Sequence, residues 1–202
     1  MSAVATPSLP VFRDVLAEVV IAERAEGWLA RCAATGTYLV VTRELVHALV
    51  GVIERLGAPP VLEVCAGDGT LARALAELGV SVTATDAHPA RGSRVTACPA
   101  AASLRRYPHP MVLGSFVPFD AGIEERILAA GHVRHYLALG ARIGVHGGVT
   151  NRLGAVPGWD AVPLPGVARW MVTRHDAWLG DGSSIRCRGE AWLLSRTQEV
   201  GP

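Results

Sequence analysis

Four residues of the segment VLEVCAGDGTLARALAELGVSVTATDAHP, running from Val61 to Pro89, have types and spacing that suit ligand chemistry: Glu63, Gly67, Gly69 and Asp86. Glycine at 67 and 69 permits positive φ and lets the backbone approach a ligand more closely than any Cβ allows. Leu71, Leu75 and Leu78 follow at helical spacing, so the turn delivers free helix N-terminal amides to that ligand, with Thr70 expected as the cap. Val80, Val82 and Ala84 alternate as a strand ending at Asp86, 19 positions after Gly67. An acid at that distance lies beside the first strand's carboxyl end, where its two oxygens can accept from two ribose hydroxyls. Together these residues describe a nucleotide pocket.

Two ligand classes fit. Gly67-Asp68-Gly69-Thr70-Leu71-Ala72 satisfies the G-x-G-x-x-A fingerprint of a dinucleotide site. Glu63-Val64-Cys65-Ala66-Gly67-Asp68-Gly69 resembles the first motif of class I S-adenosylmethionine-dependent methyltransferases, E/D-x-G-x-G-x-G, with Ala66 offset among the glycines. Glu63 separates the two, because a dinucleotide strand has no need of a carboxylate just before the turn. In the methyltransferases that acid helps order the loop and the cationic end of the cofactor. The resemblance covers about residues 37 to 195 and implies S-adenosylmethionine as cofactor. Glu63, Cys65, Ala66, Gly67 and Gly69 would surround it, with Asp86 and Ala87 at the ribose, Ser115 on the next strand's edge and Tyr38 near the methionine moiety. The third and fourth family motifs match less well: Pro99 and Ala100 stand where an acid often meets the adenine amine, and GSFVPFD replaces D/N-P-P-Y/W.

The elements that must position these residues read as an α/β fold. The resemblance implies a Rossmann-like class I methyltransferase sheet, mostly parallel, with a C-terminal antiparallel hairpin and a helical N-terminal leader. Residues 1–58 form the leader, which would act as a lid, and 59–202 the cofactor-binding unit, the whole being one domain. The leader opens with a loose arm and a helix from about Phe12 to Ala33. A second helix is capped by Thr42, carries Leu45, Leu49, Val52, Ile53 and Leu56 on one stripe, and ends at Gly57. Val61, Leu62 and Val64 form a central strand interrupted by Glu63. Further strands are expected at Arg94 to Cys98, at Met111 to Leu113 and at Arg134 to Leu139, with a helix from Ile123 to Ala130. Gly140 to Gly166 reads as a long functional loop. Ala168 to Trp178 and Ile185 to Leu194 alternate on either side of LGDGSS and read as the hairpin, equivalent to the family's reversed seventh strand.

Composition bounds the function. The chain has 202 residues, 50% of them hydrophobic, enough for one full α/β core. All 19 basic residues are arginine, so P-loop nucleotide hydrolysis, Schiff-base chemistry and lysine general bases are excluded. Formal net charge is +1, which attracts polyanions weakly and favours a small-molecule substrate over nucleic acid. No apolar run is long enough for a membrane span and no signal peptide opens the chain, which reads as cytoplasmic. Cys32, Cys65, Cys98 and Cys187 lack C-x-x-C spacing and read as reduced thiols. His132, His135 and His146 lack carboxylate partners at metal-ligand spacing, so no metal is expected. The oligomeric state is open, with a homo- or hetero-oligomer both compatible.

Methyl transfer needs donor and acceptor aligned and, for a hydroxyl or protonated amine, a proton removed. Asp120 and His146, in loops after the fourth and fifth strands, are the catalytic candidates. His88 reads as a solvated loop residue. His175 and Asp176 are adjacent in an expected strand and would face opposite sides, so they are set aside as a base and its orienter. Trp159, in the long loop, could wall an aromatic substrate. The expected activity is O- or N-methylation of a small metabolite. Two alternatives are a non-methylating cyclisation, elimination or rearrangement on the same fold, and a non-catalytic partner-binding subunit.

Overall fold

In the computed structural model, residues 8–25, 27–118, 121–141, 156–178, 185–186 and 189–197 are described. The leader begins with α1 (Phe12–Ala25) and α2 (Trp28–Thr35), followed by β1 (Leu39–Val40) and α3 (Arg43–Arg55). The single helix expected from Phe12 to Ala33 is therefore two. Gly27, at φ 85°, adopts a conformation that only glycine takes readily, and its N–H bonds back to Ala22 O at 2.8 Å while it caps α2. Thr42 caps α3 as its sequence suggests, its Oγ1 accepting from Leu45 N at 3.2 Å. The same hydroxyl donates to Trp170 O at 3.3 Å, tying the leader to a segment 128 residues away.

The nucleotide motif folds as β2 (Val61–Val64), α4 (Thr70–Glu77) and β3 (Val82–Asp86). Next come β4 (Thr96–Ala97), shorter than the five-residue strand expected there, α5 (Ala100–Arg106), β5 (Met111–Ser115), α6 (Ile123–Ala129) and β6 (His135–Ala141). The C-terminal part holds β7 (Trp159–Pro163), α7 (Pro165–Ala168), β8 (Val172–Thr173), β9 (Ala177–Trp178), β10 (Ile185–Arg186) and β11 (Gly189–Arg196). Seven strands make one sheet in the order β4-β3-β2-β5-β6-β11-β7. The pairs from β4 through β6 are parallel, and β11 runs antiparallel to both of its neighbours.

This arrangement corrects the expected hairpin. The reversed strand is present as β11, but its long partner is β7, which lies inside the Gly- and Pro-rich stretch expected to be loop. Ala168 closes a short helix instead of opening a strand; the expected turn Gly180-Asp181-Gly182 lies outside the described residues, among which β9 and β10 pair antiparallel over two residues. Val172–Thr173 pairs with β1 instead.

Alternation along the strands divides the core. Val61, Met111, Leu113, Leu137 and Leu139 pack with α3, α4 and α7, while Leu62, Val64, Val112, Tyr136 and Ala138 pack against α5 and α6 on the opposite face. A smaller cluster joins Val15, Val19, Trp28 and Cys32 of the leader to Val172. The strand order reverses between β2 and β5, since β3 and β4 lie to one side and β6 to the other. In an open α/β sheet the crevice beyond the carboxyl ends at such a reversal is where ligands bind.

Candidate functional site

Strain concentrates at that crevice. Among the described residues three other than glycine have positive φ, and two of them follow directly on the two strands of the reversal: Cys65 at 57° after β2 and Phe116 at 52° after β5. Val64 and Gly114 are register partners, so these two turns stand side by side. For a bulky residue such as Phe116 this conformation is an outlier, held by its N–H bond to Leu139 O at 2.8 Å.

The glycine turn is closed from three directions. Gly67 N donates to Asp86 Oδ2 at 2.9 Å, Ala90 N donates to Gly67 O at 3.3 Å, and Gly69 N donates to Ala66 O at 2.8 Å. A Cβ built on Gly67 would meet nothing within 4 Å, so the backbone there faces open space. At Gly69, φ 73°, a Cβ would instead come within 2.6 Å of Val95 Cγ2. Gly69 is itself the cap residue of α4. Thr70 does not cap the helix: Asp68 accepts from Thr70 N at 2.9 Å and from Thr70 Oγ1 at 2.8 Å, doing the work expected of the threonine.

Glu63 points to the α4 side of the sheet and is 2% exposed. The Ala72 backbone N–H bonds to it, so a strand carboxyl satisfies a donor in the first turn of α4. Its Oε2 is buried without a hydrogen-bond partner. Burial, reinforced by the Asp68 and Asp86 charges, pushes its pKa from 4.5 up to about 8, despite the opposing Ala72 bond. Cys65, beside it, is raised to about 11, chiefly by burial, which leaves a protonated, unreactive thiol. Asp86 binds two backbone donors, Gly67 N through Oδ2 and His88 N through Oδ1 at 2.7 Å, and each oxygen keeps a second lone pair for a ligand.

Glu63, Cys65, Ala66, Gly67, Gly69, Asp86 and Ala87 therefore stand together at the ends of β2 and β3, and Ser115 ends the adjacent β5. Tyr38 reaches the same edge, its ring 5.9 Å from that of Phe116. Asp120 and His146 lie outside the described residues. Trp159 is not a pocket wall. It starts β7, is 8% exposed, and carries the Arg196 guanidinium 4.6 Å above its ring, while that guanidinium binds Leu128, Ala130 and Val133 carbonyls.

Three residues that the sequence did not single out for this edge complete it. Phe116 stacks on His175 at 6.5 Å, and the Arg174 guanidinium lies 4.6 Å over the Tyr38 ring. Residues 174 and 175 form a turn, which removes the strand argument that set His175 and Asp176 apart. Asp176 is nonetheless committed to Thr173, accepting from its N–H at 2.9 Å and its hydroxyl at 3.4 Å. Pairing of β1 with β8 explains the assembly, since it places Tyr38 beside Arg174, whose N–H donates to Tyr38 O at 3.0 Å. Among the described residues no three His, Cys, Asp or Glu side chains converge as a metal site, and no helix is long and apolar enough to cross a membrane.

No protein-family model matches the chain, and no curated protein matches it. Among solved structures, the chain is similar to the 23S rRNA methyltransferase ErmE at 15% identity, covering 80% of this chain and 70% of that one, with a TM-score of 0.46. Magnesium protoporphyrin IX methyltransferase from Synechocystis PCC 6803, solved with bound S-adenosylmethionine, is 16% identical over 75% of this chain and 78% of that chain, TM-score 0.46. The 1,6-didemethyltoxoflavin-N1-methyltransferase of Burkholderia thailandensis is 13% identical over 98% and 93%, TM-score 0.43. The strand order, with β11 reversed and inserted between β6 and β7, is that of the class I methyltransferase fold.

Proposed function

We propose that the chain is an S-adenosylmethionine-dependent methyltransferase acting on a small-molecule metabolite, with oxygen or nitrogen as acceptor. One observation carries this reading: the buried carboxyl of Glu63, with its unpartnered Oε2, stands behind a glycine turn that faces open space and is pinned to Asp86. These residues fit an adenosyl sulfonium. Asp86 has lone pairs for ribose hydroxyls, the Gly67 backbone allows close approach, and Glu63 supplies negative potential for a cation once ionised. A bound S-adenosylmethionine would supply the electrophilic methyl group. The chain's own part is to align it, with Tyr38 and Phe116 covering the crevice and the helical leader holding Tyr38 in place through β1.

Isothermal titration with S-adenosylmethionine, S-adenosylhomocysteine and NAD tests the assignment. Binding of the two sulfur nucleotides and not of NAD is expected; the reverse would remove it. Release of S-adenosylhomocysteine in the presence of an acceptor then separates methylation from a rearrangement on the same fold.

A further inference from the structure

The smallest apolar cluster of the molecule draws on none of the seven strands of the main sheet. Val15, Val19, Ala22, Trp28 and Cys32 of the leader close on Val172 of β8, with Val40 of β1 packed against them. β1 and β8 form a ribbon cross-linked along its length: Arg174 N donates to Tyr38 O at 3.0 Å, Leu39 and Val40 pair with Thr173 and Val172, and Thr42 Oγ1 donates to Trp170 O at 3.3 Å. Trp28 Nε1 donates to Thr173 O at 2.8 Å, which fastens α2 to the same ribbon. Two segments far apart in the chain thus make one unit around a core of its own, and such units open separately from the rest of a fold.

The ribbon has two unlike ends. At Thr42 and Trp170 it is anchored, since Phe12 sets its ring 5.3 Å from that of Trp170 and donates its N–H to Glu44 Oε2 of α3 at 2.9 Å. At Tyr38 and His175 it reaches the crevice and grips Phe116, with ring centroids 5.9 and 6.5 Å away. Between these ends the ribbon rests on Gly189 of β11, where a Cβ would come within 2.8 Å of Met171 Cβ and 3.2 Å of Thr173 Cγ2. No side chain interlocks at that point.

Phe116 is the strained part of the grip. Its φ of 52° is unfavourable for a bulky residue and persists only where the surroundings enforce it: the Tyr38 and His175 rings from the ribbon, and Leu139 O from the sheet. Lifting the ribbon's tip withdraws the two rings, and relaxation of the Phe116 backbone then offsets part of the contact energy lost.

We propose that α1, α2, β1 and residues 172–176 form one hinged cap, pivoting at Thr42 and Trp170 and clasped to the crevice by Phe116, which opens as a unit to admit ligands while the main sheet stays folded. The admission of ligands rests on the methyltransferase reading above; the hinged unit does not.

Hydrogen exchange of the full chain, read by mass spectrometry with and without saturating S-adenosylhomocysteine, tests it. In the free protein the amides of α1, α2, β1 and β8 are expected to exchange through one shared opening, about tenfold or more faster than those of β2 and β5. Tyr38→Ala removes one side of the clasp at a residue that is 44% exposed, and should speed the cap's exchange about tenfold while leaving β2 and β5 within about twofold. Bound S-adenosylhomocysteine should slow the cap's exchange about tenfold. Cap amides that exchange only as fast as the sheet, α2 amides that open separately from those of β8, or a cap unaffected by Tyr38→Ala or by bound ligand would overturn the proposal. The pattern in the unmodified protein decides the matter even if the variant does not fold. Failure of S-adenosylhomocysteine to bind at all would remove the methyltransferase reading separately, while the shared opening is still read without it.

Discussion

Asp86 Oδ2 accepts the Gly67 N–H at 2.9 Å, so the acid that closes β3 also holds the first glycine of the turn that follows β2. One carboxylate thereby shapes the loop and keeps acceptor capacity for a ligand. Asp86→Ala is expected to lower S-adenosylhomocysteine affinity at least tenfold, about 1.4 kcal/mol or more, with Asp86→Asn less affected because its carbonyl still accepts from Gly67. Titration calorimetry reads both, and unchanged affinity in Asp86→Ala would remove the ribose role.

Glu63 gives a pH dependence with a definite sign. The unfolded chain releases this proton near 4.5, whereas the folded protein keeps it up to about 8. Across that interval the native state binds more protons, so stability falls as pH rises and levels off above about 8. Glu63→Gln removes this contribution. The variant's urea midpoint should gain on the native protein's progressively from about pH 5 to about pH 9, and a constant difference would show that Glu63 ionises normally.

If Glu63 faces the cationic end of the cofactor, binding a sulfonium draws off its proton. Calorimetric enthalpies at about pH 7 should then vary with the ionisation enthalpy of the buffer, and in Glu63→Gln that variation should shrink. Equal buffer dependence in the two proteins would place Glu63 outside the cofactor's field.

Gly69→Ala combines two penalties. The new methyl would meet Val95 Cγ2 at 2.6 Å, and φ 73° is left-handed, which costs an alanine about 1–2 kcal/mol. Thermal unfolding should show a loss exceeding that figure, and adding Val95→Ala should recover the steric part only. A double variant as stable as the native protein would show that the backbone conformation carries no penalty.

Tyr136 is fully buried, donates its hydroxyl to Glu124 at 2.9 Å and passes within 2.8 Å of where a Cβ on Gly114 would sit. Tyr136→Phe withdraws that donor from a buried carboxyl and should cost about 1–3 kcal/mol in denaturant unfolding. Gly114→Ala should be as damaging although its backbone is unstrained, because the methyl meets both Val117 and the Tyr136 hydroxyl.

The parts of the fold legible in the sequence are those whose signals are local. Val61–Val64, the glycine turn, Thr70–Glu77 and Val82–Asp86 lie within 26 residues, and each boundary has its own chemical mark. Even there the cap was misplaced, because Asp68 bonds Thr70 where a threonine cap was the simpler expectation. Trp159–Pro163 carried no such mark: two of its neighbours in sequence are Pro and Gly, and only its pairing with Leu193 and Leu194 makes it a strand. The aromatic and cationic edge of the site was illegible for the same reason. Tyr38 and Arg174 meet because Leu39 pairs with Thr173, and no spacing within either segment announces that contact.

The position of β11 has a consequence for how the protein comes to be made. It is the latest of the seven strands in the chain and, among the described residues, the bridge between β6 and β7, so neither of those two can complete the pairing described above before residues 189–196 leave the ribosome. During synthesis the apolar edge of β6 stays open, a template for another chain, and β7 has no sheet to join. Commitment to the native sheet is thus deferred to a late insertion between two waiting strands, and slow translation through that stretch should favour aggregation over folding.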